Sequence, residues 1–447
     1  MQIVIIGAGP AGLFLGSALA RRGHRVTAVD RDPGPADHTT WARRGVMQFH
    51  HAHAFRQTVV ESLEREVPEA LGVWLAAGAE PIEFEDYGGV MNRLGLRSRR
   101  ETFERSLRTA ALATPGFTLR RGHVESVLEE GGRATGVLVD GVPVAADLVV
   151  DASGRAGRAT RGLAPRAGIG GPCGQAYVDR VYRLKPGAEP GPMTNPIAWQ
   201  ADFDGYLSLV FRHEKGLFSV LIVRRSDDTA LRALRYADAF EAAARAIPGL
   251  DVWTDPERAE PVTDVLAGGA LLNVYRSQRD DDGGLLLPGL FFAGDSVATT
   301  TPVFGRGITT TLWQCEALLS LLDHDSDDLA ATGHAFDDWS AETMKPWVED
   351  HIHMDAARLD RWNGVPLDVD APLPSDLILT AAEVRPEIMA SAGGYLSMAA
   401  LPASLREAEP IAREVYAGGW RPTYAPGPTR DELVEIVGRV AAQPQPA

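Results

Sequence analysis

The chain has 447 residues, 45% of them apolar, which is enough for two or three packed units and excludes a disordered chain. A formal net charge of -16 argues against nucleic acid or an anionic membrane surface as the main partner, and no apolar run reaches the ~20 residues of a membrane span. Cys173 and Cys315 stand in no metal-type cluster and read as thiols of a reducing compartment; with no signal-peptide pattern at the start, a cytoplasmic location is expected.

In chain order, Gln2 to Ile6 reads as a buried strand, Gly7 to Gly12 as a turn, Leu13 to Arg22 as a helix and Val26 to Val29 as a second strand ending at Asp30. This is the βαβ unit of a parallel sheet. Helical spacing recurs from Thr58 to Leu75 and from Arg99 to Leu112. Phe117 to Val150 reads as a β-meander with turns at Gly131-Gly132 and Asp140-Gly141, and with Leu148 to Val150 as its last strand. Tyr206 to Phe211 and Leu217 to Val223 flank a polar turn and predict a hairpin, followed by an alanine-rich helix over Ala230 to Ala246. Gly289 to Ala293 predicts a buried strand, Gly305 to Leu322 a turn entering a long helix, and the remainder from about His334 a mostly helical tail, with Gln443 to Ala447 disordered.

Gly7-Ala8-Gly9-Pro10-Ala11-Gly12 matches the dinucleotide fingerprint. Gly7 permits the tight turn, Gly9 lets the backbone approach a pyrophosphate, and Gly12 lets the helix pack on the sheet. The free N–H groups at the helix start face the phosphates, with Pro10 and Ala11 in the first turn. Asp30, followed by Arg31, ends the second strand where a carboxylate can accept hydrogen bonds from ribose hydroxyls.

Two later motifs extend the site. In Asp147 to Arg158, an apolar strand delivers Asp151 beside small residues and two arginines. In Gly289 to Ile308, an apolar strand ends in Gly294-Asp295, followed by Pro302 and then Gly305-Arg306-Gly307-Ile308 at a helix start. Asp295 can accept from a ribityl chain. Gly305 and Gly307 can lie against a flat ring, and the positive helix end favours the anion of a reduced flavin.

The three motifs in this order resemble the flavoprotein monooxygenases that include para-hydroxybenzoate hydroxylase, the ubiquinone-pathway hydroxylases and squalene epoxidase, and are also similar to polyether epoxidases. The resemblance covers roughly residues 1–330. It implies an α/β fold: a Rossmann-like FAD-binding domain with a β-meander, a mixed β-sheet (α+β) substrate domain and a helical C-terminal region. The expected division is FAD-binding segments at 1–78, 99–175 and 265–333, substrate-domain strands at 79–98, a substrate domain at 176–264 and a mostly helical 334–447.

The resemblance further implies FAD pyrophosphate at Gly7, Gly9 and Gly12, adenosine ribose at Asp30, and diphosphate contacts from Arg100 and Arg44. It places adenine on the backbone of Val124, and FAD also at Asp151 and Asp295. The departures are Ala298 and Thr309, where the family often has histidine and asparagine, and Asp151-Ala152 in place of Asp-Gly.

The chemistry implied is insertion of one oxygen atom from O2 into an apolar or aromatic small molecule, a secondary metabolite, through a flavin hydroperoxide. The cofactor does the hard step while the protein orients substrate and excludes water. A single fingerprint leaves the electrons to a transiently bound NAD(P)H or to a separate flavin reductase. Arg306 reads either as substrate-facing or as structural. His51 and His53, in a cluster with His50, read as cavity-lining or structural, and no partner set makes them a metal site. The aromatics Trp199, Phe203, Tyr206, Phe211 and Phe218 read mainly as core, with a share left for a pocket wall. A reductase of the geranylgeranyl reductase type is the alternative. A flavin halogenase ranks lower, for want of its lysine before Lys185 and of its paired tryptophans near Trp253. Oligomeric state is open.

Overall fold

The computed structural model describes residues 1–37, 41, 43, 45–85 and 89–441. Arg44 and Gln443 to Ala447 lie outside them.

The first apolar run pairs as the βαβ pattern requires. A five-stranded parallel sheet runs Leu290–Phe292, Leu148–Asp151, Gln2–Ile6, Arg25–Asp30, Phe117–Arg121. Helix Pro10–Arg21 packs on it between helices Arg100–Ala113 and Gly307–His324, and its apolar side chains are buried nearly all round. The registers Ile6↔Asp151 and Asp151↔Phe292 bring the carboxyl ends of three strands level. The turns that follow, at Gly7, Ala152 and Gly294, therefore share one edge, where ligands of open parallel sheets bind.

Leu148–Asp151 departs from the expected meander. All four of its residues are buried, and it pairs in parallel with strands on both sides; a strand apolar on both faces belongs in a covered parallel sheet. The meander is Val124–Glu130, Arg133–Val139 and Val142–Ala145. Its two-residue turns have positive φ at both positions: 59° and 74° at Gly131-Gly132, 49° and 75° at Asp140-Gly141, the primed geometry that matches strand twist.

Two predicted helices are interrupted. Thr58 to Leu75 divides into Gln57–Glu66 and Pro68–Ala76, because Pro68 forces Val67 out of the helical region (φ -144°, ψ 58°). Ala230 to Ala246 is a short tight turn, Ala230–Arg235, then helix Ala237–Ala246 after extended Tyr236. Glu80–Glu85 and Met91–Arg97 form a three-stranded sheet with Ala54–Arg56.

The middle sheet orders Ala198–Phe203, Tyr206–Arg212, Leu217–Arg225, Gln175–Leu184 and Ala259–Pro261, with Leu266–Gly268 beside the long strand. The predicted hairpin is present, with Lys215 at φ 58° in its turn. Alternation sorts its faces. Tyr206, Val210, Phe218, Val220 and Ile222 pack on helices Ala237–Ala246 and Arg430–Ala441. Tyr177, Leu207, Leu209, Leu221 and Val223 form the other face. Trp199, Phe203, Tyr206 and Phe218 are thus core, whereas Phe211 lines a cavity. From Leu329 the chain is mostly helical, with its own core around Trp347, Ile378, Tyr395 and Tyr416. Among the described residues no helix is long and apolar enough to cross a membrane.

Candidate functional site

The sheet edge opens into a cavity of about 460 Å³ that extends to the inner face of the middle sheet. Gly7, Gly9, Pro10 and Ala11 line it, as do Asp30 and Arg31. Gly7 has φ 102°, and a Cβ there would lie 2.6 Å from the Ala152 carbonyl oxygen; at Gly12 it would lie 2.0 Å from that of Gly7. Gly12 therefore acts by close packing beneath the turn and does not line the cavity. Gly9 meets nothing nearer than the Arg43 guanidinium at 3.9 Å, which leaves its backbone open to a ligand.

Asp30 is held at the strand end. Its Oδ2 accepts from the Ala8 N–H (2.7 Å) and from Arg43 Nη2 (2.9 Å), and its Oδ1 from the Asp32 N–H (2.9 Å). Arg43 also ion-pairs with buried Glu104, which accepts from Arg100 Nε at 2.6 Å. These carboxylates hold the Arg43 guanidinium protonated despite burial. Arg43 is an arginine of this edge that the sequence reading did not single out; Arg44, which it did, lies outside the described residues. The signal for Arg43 was Glu104, a carboxylate one helical turn after Arg100 on an otherwise buried face.

The lining also includes Arg100, Ser153 to Arg155, Gly294 and Asp295. The Gly294 N–H donates to Gln314 Oε1 at 2.9 Å, which fixes the turn. The Asp295 carboxylate has no hydrogen-bond donor among the described residues, and burial pushes its carboxyl up despite the charges of Arg100, Arg155 and Arg276. Asp151 differs. It is fully buried and accepts from the Ser153 N–H (2.9 Å), the Ser153 hydroxyl (2.6 Å) and the Thr160 hydroxyl (3.1 Å), so its carboxylate shapes the turn and the following residues reach the cavity. Val124 begins the meander as a buried core residue and is not in the lining.

Pro302, Gly305, Gly307 and Ile308 line the cavity too, the last two opening helix Gly307–His324. Arg306, read as a possible substrate contact, turns the other way. Its guanidinium pairs with Asp350 at 3.0 Å and lies over the rings of Trp347 (4.5 Å), Tyr395 (4.6 Å) and Phe304 (5.2 Å). Asp350 also accepts from the Tyr395 and Ser375 hydroxyls. Two adjacent glycines on the cavity side send the long side chain between them outward, where the C-terminal helices supply its counter-charge.

His53 lines the cavity beside Met47, Ala52 and Ala54; His51 lies behind it, buried, edge-on to Tyr177 (ring centroids 4.9 Å) and 3.4 Å from Asp179. Tyr177, Leu209, Phe211, Leu221, Val223 and Leu271 give the cavity an apolar wall, and Gln48, Thr299 and Thr300 add polar groups. His351, read as structural, is buried and 3.0 Å from the Thr301 hydroxyl. Among the described residues no group of histidines, cysteines and carboxylates could hold a metal ion.

The sequence comparisons agree with this edge. Residues 2–110 match the family model described as FAD dependent oxidoreductase. A D-amino acid dehydrogenase from Ralstonia nicotianae is 45% identical over 49 residues, which are 11% of this chain and only 12% of that relative's length. Among solved structures, the flavin-dependent brominase Bmp2 superposes with a TM-score of 0.63 at 17% identity, over 94% of this chain and 99% of that one. PqsL from Pseudomonas aeruginosa, described as a probable FAD-dependent monooxygenase, superposes with a TM-score of 0.58 at 17% identity, over 82% and 99%. The fold is an FAD-binding fold. The fingerprint edge, the open backbone at Gly9 and the Asp295 carboxylate, without a donor among the described residues, fit a dinucleotide with a hydroxylated chain.

Proposed function

We propose that this protein is an FAD-dependent monooxygenase that inserts one oxygen atom from O2 into an apolar or aromatic small molecule by hydroxylation or epoxidation. The observation that carries the reading is the continuity of one cavity from the dinucleotide edge to an apolar wall on the middle sheet. Gly7, Gly9, Pro10 and Ala11 would hold the pyrophosphate, Asp30 and Arg31 the adenosine end, Arg100 the diphosphate region and Asp295 the ribityl hydroxyls. Pro302, Gly305, Gly307 and Ile308 would back the flat ring. Bound FAD would supply oxygen activation.

The chain's own part is to orient and to exclude water. The apolar wall dehydrates whatever lies on it, and the N–H groups opening helix Gly307–His324 favour negative charge at the ring. The electrons would come from transient NAD(P)H or from a flavin reductase. Two buried free thiols fit a reducing compartment.

Halogenation is the second reading, favoured by the brominase-like fold over 94% of the chain. Against it, none of Lys185, Lys215 and Lys345 lines the cavity. The deciding experiment supplies reduced FAD, isotopically labelled O2 and bromide together to the protein with a panel of aromatic and alkene probes. Labelled oxygen in an organic product supports the monooxygenase, and a brominated product replaces it with the halogenase. Reduction of a probe in a parallel run without O2 returns the reductase reading.

A further inference from the structure

The apolar wall says little about which part of a substrate the protein recognises. We propose that His53 selects the substrate, its Nε2 lone pair accepting a hydrogen bond from a hydroxyl or N–H on an otherwise apolar, uncharged molecule. The inference rests on the monooxygenase reading of the same cavity.

The tautomer follows from one contact. His53 Nδ1 lies 3.0 Å from the carbonyl oxygen of His51. A carbonyl only accepts, so Nδ1 carries the proton and Nε2 the lone pair. Among the described residues nothing pairs with Nε2, and the side chain lines the cavity. The loop that presents it is anchored. The Ala52 N–H donates to Asp179 Oδ2 at 2.7 Å, and Asp179 is fully buried on strand Gln175–Leu184. The imidazole stacks on Phe55 with centroids 6.0 Å apart. Burial and the nearby Arg100 charge, with smaller contributions from His213 and His51, push the imidazole down to about 3, so it stays neutral.

The surroundings narrow the ligand further. The Thr300 hydroxyl lines the same cavity, buried and without a partner among the described residues, and the sheet wall adds only the tyrosine of Tyr177 to aliphatic and phenyl groups. A fixed acceptor beside an apolar wall rewards a donor. A ligand lacking one leaves the dehydrated lone pair unpaired, and a carboxylate would set negative charge against it.

The test uses the FAD-loaded protein and two probes, β-naphthol and its methyl ether, titrated while the absorbance of bound oxidised flavin is followed. The expected result is a preference for β-naphthol of about tenfold or more. His53→Phe should keep the ether affinity and lose the preference, and His53→Gln, which keeps an acceptor oxygen, should restore part of it. FAD affinity, measured by fluorescence, should be the same in all three. Equal response to the two probes in the unmodified protein, including no response to either, overturns the assignment, as does a preference that survives His53→Phe. Weakened FAD binding in His53→Phe would mean that the flavin itself occupies Nε2, which also overturns it. A chain that holds no FAD overturns both readings, whereas one that holds FAD without discriminating overturns only the role of His53.

Discussion

Three aspartates at the carboxyl edge of one sheet have different surroundings, and their roles follow from who supplies the donors. Asp30 and Asp151 receive theirs from the protein, whereas the Asp295 carboxylate has none among the described residues and its carboxyl is pushed up by burial. Asp295→Ala should therefore weaken FAD retention by about tenfold or more, read by flavin fluorescence, with little loss of stability. Asp151→Ala should do the converse. It strands buried donors and should lower stability by about 1–3 kcal/mol in urea unfolding.

Three histidines set an acid limit. Burial lowers His53 to about 3, His213 to about 4, and His351 well below its ordinary value of 6.5. Below that ordinary value the unfolded chain takes up protons that the folded chain refuses. Stability is thus full above pH ~6.5 and falls as pH drops toward the folded values. Urea midpoints should decrease from pH ~7.5 to pH ~5, and His213→Phe should flatten the slope.

At the level of elements, the loop that lines the cavity through Gly305 and Gly307 is tied to the C-terminal helices by a buried charge. Arg306 leaves the loop between Gly305 and Gly307 and pairs with Asp350 on helix Lys345–Trp362. Removing one partner uncovers the other, so Arg306→Met should cost about 3–5 kcal/mol, and the double change with Asp350→Leu less than the sum of the two. Denaturant midpoints check this, and FAD retention should fall with Arg306→Met because the loop loses its anchor. Local signals found most elements but not their breaks. Pro68 was visible, yet the helical spacing ran through it. Leu148–Asp151 looked like one more meander strand because a short apolar run carries no mark of its partner, and only the parallel registers to Ile3–Ile6 and Leu290–Phe292 separate the two.

Across the whole molecule, the last described helix returns to the middle of the chain. Leu433 and Val437 are fully buried in the core behind the cavity wall, and Arg430 bonds Asp228 at 2.7 Å. Ending the chain before Arg430 should expose that core and lower the melting temperature by at least several degrees, with faster proteolysis between 198 and 268 as the check. By itself the sequence determined the dinucleotide edge, because glycine spacing, strand ends and helix starts are local and each has a steric reason legible in a few neighbouring residues. It also determined the hairpin at the centre of the middle sheet, though not the strands Gln175–Leu184, Ala198–Phe203, Ala259–Pro261 and Leu266–Gly268 that complete it. Only the tertiary structure decided that Arg43 joins Asp30 to Glu104, that Arg306 faces the helical tail, that Phe211 alone of the five aromatics reaches the cavity, and that His53 faces it while His51 does not. Those outcomes depend on which way a side chain turns and on counter-charges supplied from residues tens of positions away, and neither is written in local periodicity.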